Sequence, residues 1–224
     1  MAVNMENLII TTPVPKSPSN PVALELTGAQ ALATLTQVIA RLSDGSIRMS
    51  APTRGASSKS THRTRCEWKE ARYWSLTSAT RHSNHQRMTL EKVNSAQKVV
   101  ISQMHVKDDD SPVIKVFWNK GKITLGFRQD FNQLTPLSSN VLTDVPLNTP
   151  FEISIDVTSA GAATVSATCN GRTGSTGVLQ MAQSWNVRAF NFHGGVYNQV
   201  DYSDSTAAED GSVCVISRLE LSHI

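Results

Sequence analysis

The chain has 224 residues, enough for one large domain with a full core and short for two. Only 17% of residues are charged, against 26 Ser and 21 Thr, a balance that suits strands and turns better than helices. No stretch approaches the roughly 18 uncharged apolar residues of a transmembrane helix, and the net charge of +3 conceals a basic segment. Residues 47–98 hold 11 Lys and Arg against 3 Asp and Glu, which suggests an anionic partner as readily as a solvated basic face. Cys66, Cys169 and Cys214 are too few and too widely spaced for a disulfide framework or a zinc site, and read as packed small apolar groups. Met1 to Pro15 carries no basic segment followed by an apolar run, so no secretory signal is visible.

In chain order, Thr12 to Pro21 holds four of the nine prolines and reads as a stiff loop. Thr27 to Leu42 reads as the one convincing helix, opened by a Thr27–Gln30 capping box and closed at Ser43-Asp44-Gly45. Everything after Gly45 reads as strands and turns. The expected strands are Ser46–Ser50, Arg63–Glu70, Gln86–Val93, Gln97–His105, Val113–Asn119, Lys122–Arg128, Phe151–Val157, Thr164–Cys169, Arg188–Gln199 and Ser212–Ser222. Asn119-Lys120-Gly121 and Asn170-Gly171 are hairpin signals. About ten strands with one short helix predict an all-β, antiparallel β-sandwich of jelly-roll type, with a closed barrel as the alternative. No composition shift marks a second domain, so residues 1–224 read as one unit. Asp108-Asp109-Asp110 reads as a plain acidic turn, with a mobile loop near the cleft as the alternative.

Three segments carry polar residues at period two, which puts each set on one face of a strand. Arg63, Arg65, Glu67 and Lys69 share a face, with Cys66 and Trp68 opposite. Gln103 and His105 share another, with Met104 opposite. His193, Gly195, Tyr197 and Gln199 form the third, with Phe192 and Val196 opposite, and Lys115 adds a charge within the apolar run VIKVFW. Each set alone reads more readily as an ion-pair ladder or a packing feature. Together they supply a guanidinium, an amide, an imidazole and a phenol, the groups that β-elimination from a uronic acid polymer requires. Arg and amide neutralise the carboxylate beside the C5 proton, a base removes that proton, and an acid protonates the departing O4.

These residues resemble the motifs of polysaccharide lyase family seven, the alginate lyases with a β-jelly-roll fold. Arg65-Cys66-Glu67-Trp68-Lys69 is similar to the family's Arg-(Ser/Thr)-Glu-(Leu/Val)-Arg, and Gln103-Met104-His105 to its Gln-(Ile/Val)-His. Asn191-Phe192-His193-Gly194-Gly195-Val196-Tyr197-Asn198-Gln199 is similar to its Tyr-Phe-Lys-Ala-Gly-x-Tyr-x-Gln. The resemblance implies that Arg65 and Gln103 bind the carboxylate at the cleaved linkage, helped by His105. It implies that Tyr197 protonates the leaving oxygen, and that Tyr197 or His105 takes the C5 proton according to the sugar epimer. Arg63, Glu67, Lys69, Lys115, His193 and Gln199 are implied to orient these groups or hold neighbouring sugars.

The resemblance implies chemistry that needs no cofactor and no metal, and an anionic polysaccharide substrate. A monomer is expected, and the compartment is left unknown, with no secretory signal visible and other members commonly secreted or periplasmic. Lys69 stands where the family has Arg, exchanging a bidentate fork for a point charge. His193 stands where it has Lys, making that contact sensitive to pH near neutrality. The altered positions leave glucuronan or another polyuronate open as substrate. A non-catalytic module that binds acidic glycans is a second alternative. Nucleic-acid binding ranks last, because Trp68 faces away from Arg65 and Lys69 and offers no stacking beside them.

Overall fold

The computed structural model describes residues 2–59 and 61–224; Met1 and Ser60 lie outside it. The first half comprises β1 (Leu8–Ser17), β2 (Asn20–Thr27), α1 (Gly28–Thr34), β3 (Ile39–Arg41), β4 (Ile47–Pro52), β5 (Arg65–Glu70), β6 (Arg81–Lys92) and β7 (Lys98–Val106). Then come β8 (Ile114–Asn119), β9 (Lys122–Phe127), β10 (Leu137–Leu142), β11 (Phe151–Thr158), β12 (Ala162–Cys169), β13 (Arg172–Ser175), β14 (Leu179–Gln180), β15 (Phe190–Asn198) and β16 (Gly211–His223). One sheet runs β10-β9-β8-β7-β15-β5-β1-β2 and the other β13-β12-β11-β6-β16-β4-β3, with β14 beside β12. All named strand pairs are antiparallel, and the fold is a β-sandwich of jelly-roll type. The sheets end at distinct edges among the described residues, which separates this architecture from a closed barrel.

Alternation builds the core. Cys66 and Trp68 on β5, Met104 on β7, and Phe192 and Val196 on β15 are buried with Met49, Met88, Leu90, Cys214 and Ile216 of the facing sheet. Each large apolar side chain so buried contributes about 1.5–3 kcal/mol. The three cysteines are free and buried, and burial pushes the Cys66 thiol up to about 12. The two hairpin signals form turns as read: Lys120 and Gly121 have φ of 50° and 79°, Asn170 and Gly171 of 50° and 73°.

Two expectations are corrected. The helix stops at Thr34 instead of Leu42. Its capping box forms as expected, but Val38 and Ile39 gain more from the core, where Ile39 pairs with Met49 as β3 joins β4. The proline-rich segment is a hairpin of β1 and β2 rather than a loop. Its prolines are tolerated because Pro21 lies on the edge strand β2, while Pro13 and Pro15 of β1 lie beyond Thr11, where pairing with β5 ends, and the β1–β2 register shifts around Pro15. The ten expected strands all form within a few residues of their expected limits, and β1, β2, β3, β10, β13 and β14 join them.

Candidate active site

Four adjacent strands, β8, β7, β15 and β5, carry every motif on one face of one sheet. Their register places Lys69, His193, Gln103 and Lys115 in a single row across the sheet. Glu67 lies opposite Gly195, Arg65 opposite Tyr197, and His105 opposite Asn191. A bulge separates the Gly194–Ser102 and Tyr197–Val100 pairs, so β15 advances three residues while β7 advances two. The extra residue re-aims Tyr197 relative to Gln103.

Gly195 is required at its position. It has φ of +122°, and a Cβ there would lie 2.5 Å from the Cys66 carbonyl oxygen and 3.2 Å from Glu67 Cα. Gly195→Ala is therefore expected to destabilise the fold by about 1–3 kcal/mol and to displace Glu67. Chemical denaturation with an activity assay checks this; unchanged stability and activity would contradict it.

Glu67 is 3% exposed and organises the floor. Its Oε1 accepts from Gln103 Nε2 at 2.5 Å and its Oε2 from Arg65 Nη1 at 3.3 Å, with His193 Nδ1 at 3.6 Å from Oε2. Burial pushes its pKa up, but His193, Arg65 and Gln103 together outweigh burial and bring it down to about 2. A fixed carboxylate thus orients the guanidinium and the amide that sequence analysis assigned to substrate. Among the described residues, no second partner takes the other amide hydrogen of Gln103 or the remaining donors of Arg65.

His105 donates from Nδ1 to the Val106 carbonyl at 3.0 Å, because a carbonyl can only accept. Burial, then the neighbouring His193, pushes its pKa down to about 4, so at neutral pH the ring is neutral and Nε2 carries a lone pair. The His193 ring lies parallel to it, 4.8 Å between centroids and 1° between planes. His193 is fixed by its Nε2–H, which donates to Asn191 Oδ1 at 2.9 Å, while Nδ1 has no hydrogen-bond partner among the described residues.

Tyr197 is 7% exposed, with the Arg65 guanidinium 3.6 Å from its ring centroid and Lys115 Nζ 5.8 Å away. The Lys115 pKa is lowered by burial, then by the like charges of Arg65, Arg63 and Lys98. Arg63 pairs with Asp201 at 2.7 Å and reaches the Gln199 amide at 3.5 Å, at the Tyr197 end of the floor.

Lys69 is bound by Glu25 of β2 at 2.6 Å, which leaves it less free than the sequence suggested. Glu25, Thr11 and Tyr73 join Arg65, Lys69 and His105 around a cavity of about 360 Å³, a contribution that sequence reasoning missed. Asp108 to Asp110 form a turn, as expected, but that turn walls the same cavity, and Arg128 anchors Asp109 at 3.2 Å. Among the described residues, no three His, Cys, Asp or Glu side chains are grouped as metal ligands.

The basic segment is divided by the fold. Arg63, Arg65 and Lys69 reach the cleft, whereas Arg48 and Arg81 lie on the other sheet and pair with Glu91 and Asp156. Trp68 is wholly buried beneath the floor, so no indole stacks beside Arg65.

A family model described as alginate lyase matches residues 3–223. The chain belongs to the alginate lyase family. An alginate lyase from Pseudomonas aeruginosa shares its fold at a TM-score of 0.85 and 20% identity, covering 99% of this chain and 100% of that one. An alginate lyase from Klebsiella pneumoniae gives 0.81 at 17% identity, covering 98% and 96%. Alginate lyase A1-II′, described as a member of polysaccharide lyase family 7, gives 0.78 at 19% identity, covering 99% and 96%. At these identities the solved structures speak to the fold. No curated protein matches the chain in sequence. The cleft floor of this alginate lyase family member carries the His193–His105 stack and Lys69 bound to Glu25.

Proposed function

We propose that the protein depolymerises alginate by β-elimination, leaving unsaturated uronate ends, and that residues 1–224 act as one catalytic unit. The observation that carries this reading is the convergence of Arg65, Gln103, His105 and Tyr197 on one sheet face, with His105 neutral and its Nε2 without a hydrogen bond among the described residues. Family membership supports the same chemistry. Arg65 and the free amide hydrogen of Gln103 neutralise the uronate carboxylate, which makes the adjacent C5 proton removable and stabilises the enolate-like charge that develops. His105 Nε2 or the Tyr197 hydroxyl takes that proton, according to the face from which the epimer presents it. Tyr197 delivers a proton to O4 as the bond breaks. Arg63, Lys69, Lys115, His193 and Gln199 hold the neighbouring sugars, and Glu67 sets the direction of Arg65 and Gln103.

Incubation with alginate, polymannuronate, polyguluronate and glucuronan tests the reading through the near-ultraviolet absorbance of unsaturated ends. Absorbance growing on alginate and its homopolymers supports it. Silence on all four across neutral to alkaline pH would overturn it, and growth on glucuronan alone would reassign the substrate.

The depressed pKa of His105 sets a pH expectation for the epimer on which it is the base. A base works deprotonated, so kcat/KM holds through mildly acidic pH and falls only as pH drops through about 4, below the ordinary 6.5 of histidine. A limb at ordinary histidine pH in the profile of the free enzyme would remove His105 from that role.

A further inference from the structure

A second titratable cluster lies at the end of the sandwich next to the cleft. Glu70 ends β5, His82 is the second residue of β6 and His223 closes β16, where His223 and His82 are register partners. Three contacts join them in a line. His223 Nε2 lies 2.7 Å from Glu70 Oε1, His223 Nδ1 lies 2.7 Å from His82 Nδ1, and His82 Nε2 lies 3.1 Å from the Leu76 carbonyl.

Counting protons decides the state of this line. Both ends, a carbonyl and a carboxylate, accept, so three hydrogen bonds need three hydrogens. Two neutral imidazoles supply two. The third bond exists only when the cluster holds one further proton. His82 is wholly buried and stacked on Trp74 at 4.0 Å, and burial pushes its pKa down. Burial thus keeps the additional proton off the His82 ring, and the line holds it on the Glu70 side.

Glu70 also reaches the strand that carries the proposed acid. Its Oε2 accepts from Phe192 N–H at 2.8 Å and from Trp74 Nε1 at 2.9 Å, and its carbonyl accepts from Asn191 Nδ2 at 3.0 Å. Asn191 Oδ1 in turn holds His193, which stacks on His105.

We propose that Glu70, His223 and His82 form a one-proton latch that positions the Asn191–His193 stretch of β15, and through it the stacked His193–His105 pair. These three are positioning residues. Their effect on catalysis rests on the lyase reading above, whereas the proton-bound latch does not.

The other charges around the latch are few. Glu6, Arg72 and Glu220 line the cavity of about 700 Å³ that His223 borders. Arg81, next to His82 on β6, is bound by Asp156 of β11, which also takes Ser83 and His85. Phe190 and Phe192 of β15 cover the Trp74 ring. The sign follows from the proton count. The folded state holds the third proton, so the stabilisation is present at low pH and lost as rising pH removes it, leaving two acceptors facing each other.

The test compares wild type with His223→Gln, which can donate to Glu70 but cannot titrate. Thermal unfolding is followed from about pH 5 to about pH 9, with ring-nitrogen NMR of the histidines and kcat on the best polyuronate. The wild type is expected to melt about 2–4 °C above the variant at the acid end, with the gap closing toward the alkaline end. NMR is expected to show one imidazolium in the hydrogen-bonded pair at the acid end. The wild-type kcat is expected to step down several-fold over the pH range in which the gap closes, and that of the variant to lack the step. A melting gap independent of pH, or two neutral rings at the acid end, would overturn the latch. A gap that closes without any step in kcat would overturn its link to the catalytic strand. Absence of lyase activity at every pH would refute the reading of the cleft instead, and melting with NMR would still decide the latch.

Discussion

Tyr197→Phe is expected to lower kcat by about 10²- to 10⁴-fold, the worth of a positioned proton donor. The substitution removes one oxygen and keeps the ring. The ring is what the structure packs: it lies under the Arg65 guanidinium at 3.6 Å and within 5.8 Å of Lys115. Burial and the cation–π contact therefore survive in the variant, and unfolding free energy is expected to change by less than about 1 kcal/mol. KM is expected to change little, because the proposed mechanism assigns the carboxylate to Arg65 and Gln103. Steady-state kinetics with a denaturation curve separates these effects. A variant with wild-type kcat would remove the hydroxyl from the chemistry.

The second large effect concerns Glu67. Glu67→Ala leaves Arg65 and His193 without their shared carboxylate and Gln103 without its anchor. Removing one member of a buried charged network costs about 3–5 kcal/mol, so the variant is expected to be severely destabilised. Glu67→Gln keeps the shape and removes the charge, and it gives the sharper test through pH. Because the folded-state pKa is depressed to about 2 from 4.5, ionised Glu67 contributes stability above about pH 4.5 that is lost as pH falls toward 2. Wild type is expected to lose more stability than Glu67→Gln over that window in acid denaturation. Parallel losses would mean that Glu67 is not held ionised by its neighbours.

The alternation of Arg65, Glu67 and Lys69 around Cys66 and Trp68 made the two faces of β5 legible, because period two converts directly into core and cleft. The same rule read β7 and β15 and brought the four motif residues onto one sheet face. Turn chemistry located two hairpins, since Lys120-Gly121 and Asn170-Gly171 accept positive φ. What stayed hidden depends on pairing between distant segments. Nothing in the segment Val22 to Thr27 announces that Glu25 will bind Lys69 across 44 residues. The proline-rich segment concealed β1 and β2 because local chemistry disfavours a strand there, and it is accommodated only at the edge strand β2 and where β1 has run past its pairing with β5. Val38 and Ile39 looked helical by spacing, and β3 was visible only once β4 was in place beside it. The bulge that re-aims Tyr197 likewise belongs to the register of two strands and not to either sequence.

Elimination is the bond-breaking step on which every assigned role depends, and product mass in oxygen-18 water reads that step directly. Elimination breaks the glycosidic bond without adding solvent, so new non-reducing ends are expected to be one water lighter than saturated uronates. No solvent oxygen is expected at the cleaved linkage. Saturated non-reducing ends, with solvent oxygen at C1 of the new reducing ends, would mean hydrolysis, and would contradict the roles given to Arg65, Gln103, His105 and Tyr197 together.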